Sequence, residues 1–211
     1  MRSLRLFSRF TTGSIRLVLT GGIGYWGWVG LLLVLIGSGL QAFHHQVETG
    51  LVVTAMRDQV SWGLYIGNFT FLVGVAAAAV VLVIPAYVYH WGPIRQIAVY
   101  GELLAVSAIV MCLLFVSVDI GQPARFWHLI PPWGRLNFPS SLLAWDVLVL
   151  NVYLLLNLGV VTHILYRAFT GRPYAQRVVG PLILLSIPMA VGIHTVTAFL
   201  YNGLAARPYW N

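Results

Sequence analysis

Five stretches of the chain, residues 23–43, 62–89, 97–119, 142–165 and 178–200, run almost free of charge. Each is about 20 residues or longer, and at about 1.5 Å of rise per residue a helix of that length spans the roughly 30 Å hydrocarbon core of a bilayer. Lipid offers no partner for backbone N–H and C=O groups, so a spanning segment must be a helix or a strand of a closed barrel. Barrel strands alternate apolar and polar residues over about ten positions, and the five runs lack that alternation. The expected fold class is therefore all-α, a polytopic transmembrane helix bundle with five spans. Composition agrees: 8% of residues are charged, 59% are hydrophobic and the mean hydropathy is +0.85, whereas a soluble domain carries about 25% charged residues.

The 12 basic residues are all arginines. They form no contiguous basic face of the kind that binds nucleic acid, and no such partner is expected. They do fall unevenly on the two sides of the spans. Arg2, Arg5, Arg9, Arg16, Arg95, Arg167, Arg172 and Arg177 share one side, and Arg57, Arg125, Arg135 and Arg207 share the other. Cytoplasmic segments of membrane proteins are enriched in basic residues, so the first set is expected in the cytoplasm. Residues 1–20 are then a cytoplasmic, Arg-rich N-terminus. The apolar run that follows is longer than a signal-peptide core and closes on no small-residue cleavage site, so residues 21–60 are expected to form a retained first helix with an outer link. Residues 61–211 hold the other four spans. Among them the four alanines at 76–79 offer a small surface for close helix approach, Pro85 is expected to bend the second span, and Pro181 and Pro188 to interrupt the fifth.

Polar groups gather at the outward ends of these spans. The run VDIGQPARFWH at 118–128 ends the third span with Asp119, breaks the helix at Gly121 and Pro123, and at once supplies Arg125 and His128. Ionisable groups at the mouth of a membrane helix are costly and are functional candidates. The plainer alternative is a loop cap in which Asp119 pairs with Arg125. By rise per residue, Asn68, Asp119, Asp146 and His194 all fall in the outward half. Tyr65 shares a helix face with Asn68, and Thr197 and Tyr201 share one with His194. One outward-opening polar pocket among four helices is expected.

Such a pocket suits two-electron, two-proton exchange with a quinone. Asp119 and His194 are the candidate catalytic, proton-exchanging residues, and Tyr65, Asn68, Arg125, His128 and Tyr201 the candidate quinone-binding ones. The competing reading is that Asn68 and His194 only hydrogen-bond across helices. A second polar line, Asp146, Tyr153 and Asn157, follows one face of the fourth span toward Glu102 on the third; it is either a proton path or a helix contact. Haem ligation needs two imidazoles at matching depth on facing helices. His163 lies at the inner end of its span and His194 in the outer half of the next, while His44, His45, His90 and His128 sit at span ends or in links, so no haem is expected. Cys112 is the only cysteine, so neither an iron–sulfur cluster nor a metal site is expected in this chain. No P-loop or dinucleotide motif occurs.

Four segments together carry a resemblance: SWGLYIGNFTFLVG (61–74), GELLAVSAIVMCLLFVSVDIGQPARFWHLI (101–130), SSLLAWDVLVLNVYLLLN (140–157) and IHTVTAFLYNGLAARPYWN (193–211). They are similar to the NrfD and polysulfide-reductase membrane-subunit family, and most like its DsrP-type subunit of the sulfite-reduction-associated transmembrane complex. The resemblance covers residues 61–211 and implies a four-helix unit that is the first half of a longer pattern, since members of the family usually have more helices. It implies a subunit without a prosthetic group that binds menaquinone or ubiquinone as exchangeable substrate, near the outer face of a prokaryotic cytoplasmic (inner) membrane. Electrons would pass between that quinone and a ferredoxin-like iron–sulfur protein on the outer face, within a multi-subunit redox complex of sulfur metabolism. By position, Asn68 and His194 resemble quinone-facing residues of the polysulfide-reductase relatives. Two other functions compete. A transporter-like or proton-conducting subunit would use the Asp146 line, but transporters of that kind favour paired broken helices; a structural membrane anchor would need no clustered ionisable groups.

Overall fold

A computed structural model describes residues 2–57, 60, 62–130, 133–135 and 137–203. Asp58, Ser61, Pro131, Pro132, Arg207 and the terminal RPYWN run, which entered the expectations above, lie outside the described residues. Among the described residues six α-helices run in chain order: α1 (Arg2–Val18), α2 (Ile23–Thr49), α3 (Leu64–Val83), α4 (Gly92–Asp119), α5 (Leu142–Phe169) and α6 (Gln176–Gly203). Short 3-10 turns cover Leu51–Thr54 and Pro123–Leu129, and a π turn, Ile84–Val88, continues α3. Helices α2 to α6, with the π turn extending α3, are the five among the described residues that are long and apolar enough to cross a membrane. The chain is an all-α, multi-span membrane protein, as expected.

The helices outrun the apolar stretches that announced them. α2 continues through Thr49, where residues 44–59 read as a polar link, and α4 starts at Gly92 rather than 97. Helix hydrogen bonds continue into the polar boundary layer, so hydropathy marks the lipid edge and not the helix end. Pro93 fits the first turn of α4, where no intrahelical N–H is needed, and Ser141 caps α5 by accepting a 3.2 Å bond from Ala144 N. Pro85 does disturb its span, in the form of the π turn. Pro181 and Pro188 do not interrupt α6, which stays continuous through both; a spanning helix tolerates proline where neighbouring groups re-satisfy the freed carbonyls.

α3 to α6 form a closed, antiparallel ring, with α3 packed most extensively on α4, α5 on α6, and the ring completed by α4 on α5 and α3 on α6. Toward the Asp119 end the core is built by Phe69, Val73, Ile109, Cys112, Leu150 and Ile193. Toward the arginine-rich end it is built by Val83, Tyr87, Ala98, Val160, Val179 and Ile183. The small surface at 76–79 is used: Ala76 is fully buried and its carbonyl accepts a 3.1 Å bond from the Tyr153 hydroxyl. α2 stands outside this ring, and Gln46 is its one buried residue. α1 was expected only as an Arg-rich tail. It is a helix because its apolar and basic residues follow the helical period, and Phe7 and Phe10 pack against Tyr166 at 5.8 and 5.6 Å between ring centroids.

Candidate functional site at the Asp119 end

The start of α3, the end of α4, the start of α5 and the end of α6 meet at one end of the ring. Asp119 is the last residue of α4 and is 9% exposed. Immediately before it, the Val118 carbonyl accepts a 2.6 Å bond from Gln46 Nε2, while Gln46 Oε1 accepts a 2.9 Å bond from the Tyr65 hydroxyl. A single amide on α2 thereby joins α2, α3 and α4. Tyr65 also packs on Phe115 of α4, ring centroids 6.4 Å apart. Beside this clamp lies a cavity of about 340 Å³ whose polar lining is His45, Gln46, Thr54 and Tyr65, with Ala42 and Met56 among its apolar walls.

A second polar station sits one turn deeper. Asp146 of α5 is 1% exposed; its Oδ1 accepts a 3.2 Å bond from the Thr197 hydroxyl of α6, and its Oδ2 meets no hydrogen-bond partner among the described residues. Tyr201, one turn along α6, shares a hydrogen bond with the Thr70 hydroxyl of α3 and meets Trp62 edge-on at 5.3 Å.

The contacts divide the residues expected in one pocket. Tyr65 engages α2 and α4, whereas Tyr201 engages the α6 flank of α3. Asn68 is half-buried and donates 3.0 Å to Leu64 O of its own helix. His194 is exposed, with Nδ1 3.1 Å from Ala190 O. The inward line of α6 is Ala190, Ile193, Thr197 and Leu200, and His194 follows that line by one residue, a turn of about 100° at 3.6 residues per turn. Arg125 and His128 are exposed in the 3-10 turn; the ion pairs among the described residues include none between Arg125 and Asp119, and His128 stacks on Trp127 at 3.9 Å.

The second line of candidates is buried throughout: Asp146, Tyr153, Asn157 and Glu102 are 1%, 0%, 3% and 2% exposed. Asn157 Nδ2 donates 2.7 Å to Tyr153 O. Glu102 lies within Coulombic reach of Tyr153 and Tyr87, and its Oε2 has no hydrogen-bond partner among the described residues. Among the described residues no group of three His, Cys, Asp or Glu side chains could hold a metal ion. Sequence reasoning missed Gln46 and Thr70. The signal for Gln46 in the sequence is a lone amide just past an apolar run, at a position that hydropathy alone gives to a polar link.

Residues 52–211, which contain α3 to α6 and this end of the ring, match the polysulphide reductase NrfD family. The chain belongs to that family. Three relatives show the same kinship. A protein described as a dimethyl sulfoxide reductase membrane subunit, from Halobacterium salinarum, is 33% identical over 131 residues, 62% of this chain and 29% of that protein. A selenate reductase subunit from Mesobacillus selenatarsenatis is 26% identical over 154 residues, 73% of this chain and 35% of that protein. The integral membrane subunit of menaquinone reductase from Nitratidesulfovibrio vulgaris is 27% identical over 100 residues, 47% of this chain and 24% of that protein. The chain thus spans about a third or less of the length of these NrfD-related proteins. No solved structure matches it. α1 and α2, including Gln46, precede the NrfD match.

Proposed function

We propose that this NrfD-family chain is the quinone-exchanging membrane subunit of a multi-subunit reductase-type complex. It passes electrons between menaquinone or ubiquinone and a ferredoxin-like iron–sulfur protein on the outer face of a prokaryotic cytoplasmic membrane. The observation that carries this reading is the cavity at the Asp119 end. Its volume of about 340 Å³ lies at the lower end of the range for small-molecule sites, roughly 300–1,000 Å³. A ring carbonyl needs donors, and the His45 imidazole and the second N–H of the Gln46 amide supply them. Oxidation of a quinol releases two electrons, which go to the iron–sulfur protein, and two protons, which leave one after the other for water by way of the Asp119 carboxylate at the same end of the ring. A larger cavity of about 480 Å³ between α4 and α5 suits quinone chemistry less well, because its polar lining, Ser117 and Asn151, includes no side chain that exchanges a proton near neutral pH.

The relatives support the same direction, since one is a menaquinone reductase subunit and the others belong to reductases by name. Phe126, Trp127, Ile130 and Trp133 are exposed beside the site, an apolar surface of the kind that receives a partner. The test is quinol oxidation by the assembled complex carrying Asp119→Asn. We expect a fall on the order of 10²-fold with the complex intact. A near wild-type rate with unchanged quinone affinity would remove Asp119 from the reaction.

One observation favours a second reading, that the subunit also conducts protons: two buried carboxylates, Asp146 and Glu102, bracket Tyr153 and Asn157 along the bundle interior. In proteoliposomes Glu102→Gln is then expected to abolish the pH change coupled to turnover while leaving quinone affinity unchanged. Full coupling in that variant would reduce the line to a helix contact.

A further inference from the structure

At the arginine-rich end of the bundle, α1 lies against the last turn of α5. Arg5, Arg9 and Arg16 occupy i, i+4 and i+11, one face of α1, and Phe7 and Phe10 lie away from it. A helix of this pattern rests in the plane of a membrane surface, with its apolar face toward the acyl boundary. Phe10 meets Phe169 at 5.6 Å as well as Tyr166, so α1 is held against the arginine-rich end of α5.

Between the two helices is a cavity of about 210 Å³ lined by Leu6, Tyr166, Arg167, Phe169, Thr170 and Arg172. The turn that ends α5 builds its charged wall. Gly171 adopts φ +66°, a left-handed conformation that suits glycine, and Arg172 N then bonds back to Arg167 O at 2.9 Å. Arg167 Nε donates 2.8 Å to Pro173 O, which holds the guanidinium while its terminal nitrogens make no protein hydrogen bond among the described residues. No acidic residue occurs in 1–47 or 147–211, so neither segment that forms the cavity supplies a counter-ion.

We infer that this cavity binds the phosphodiester headgroup of an anionic phospholipid in the leaflet on the arginine-rich side. The two guanidiniums meet the phosphate, and Leu6 and Phe169 meet the glycerol and the first acyl carbons; the Thr170 hydroxyl donates to Arg167 O at 3.0 Å and so shapes the turn without serving the headgroup. The apolar walls are what select a lipid over free phosphate. The inference is independent of the quinone reading and of which side faces the cytoplasm. The competing explanation is that Arg167 and Arg172 only offset the C-terminal dipole of α5, which requires no lipid.

The test is native mass spectrometry of the full chain in its complex, equilibrated with equimolar phosphatidylglycerol and phosphatidylcholine. Wild type is expected to retain phosphatidylglycerol about tenfold over phosphatidylcholine, as two surface cations acting on an anionic headgroup allow. Arg167→Gln with Arg172→Gln should remove the preference, and Arg167→Lys with Arg172→Lys, which preserves charge and assembly, should keep part of it. Equal retention of the two lipids by wild type overturns the site whatever the variants do. So does a preference that survives the double Gln substitution, or one that millimolar inorganic phosphate competes away.

Discussion

Asp146 and Glu102 share a degree of burial but differ in their partners. Asp146 receives one hydrogen bond, from Thr197 across the α5–α6 contact, whereas no hydrogen bond from the described residues reaches Glu102 Oε2. Leaving a buried acceptor unsatisfied costs about 1–3 kcal/mol, more when the group is charged. Thr197→Val keeps the shape and removes the donor, so the assembled protein is expected to lose about 1–3 kcal/mol of stability and to melt at a lower temperature. Combining it with Asp146→Asn should cost less than the sum of the two single changes, because the bond can be lost only once; additive melting shifts would show that the two residues do not interact. Asp146 was legible as an intramembrane carboxylate, but its partner was not. Thr197 was assigned to the face of His194, three positions away, and the rotation of α6 about its axis divides the two: Thr197 turns inward and His194 stays exposed.

At the scale of elements, the five spans were set by segment hydropathy and the two short devices at their ends were not. One is the π turn at Ile84–Val88, foreshadowed by Pro85. The other is the Gln46 clamp, by which α2, otherwise exposed, is tied to α3 and α4. Gln46→Leu removes both bonds while keeping an apolar helix. Amide hydrogen exchange over residues 50–57 is expected to quicken about tenfold as the outer end of α2 loosens, with exchange in α5 and α6 unchanged. Unaltered exchange over 50–57 would mean that packing alone holds α2 there. The amphipathic period of α1 is encoded in the spacing of Arg5, Arg9 and Arg16, whereas their number speaks only to orientation in the membrane.

At the scale of the molecule, the arginine asymmetry predicts which end faces the cytoplasm. Cys112 is fully buried and is expected to be silent toward a membrane-impermeant maleimide. In intact cells Gln122→Cys, in the exposed turn beyond Asp119, should then label directly, and Ser8→Cys in α1 only after permeabilisation; the reverse pattern would place the proposed quinone site on the cytoplasmic side. The sequence alone determined that the chain is a bundle of five membrane-length helices and that residues 61–211 resemble the NrfD family, because transfer of a segment into lipid depends on that segment's own composition and a motif is local. Only the tertiary structure decided that Tyr65 answers to Gln46, Tyr201 to Thr70 and Asp146 to Thr197, and that α1 closes a cavity against α5. Those choices depend on how each helix is rotated about its axis and which faces meet, and near-uniform apolar helices carry little record of either.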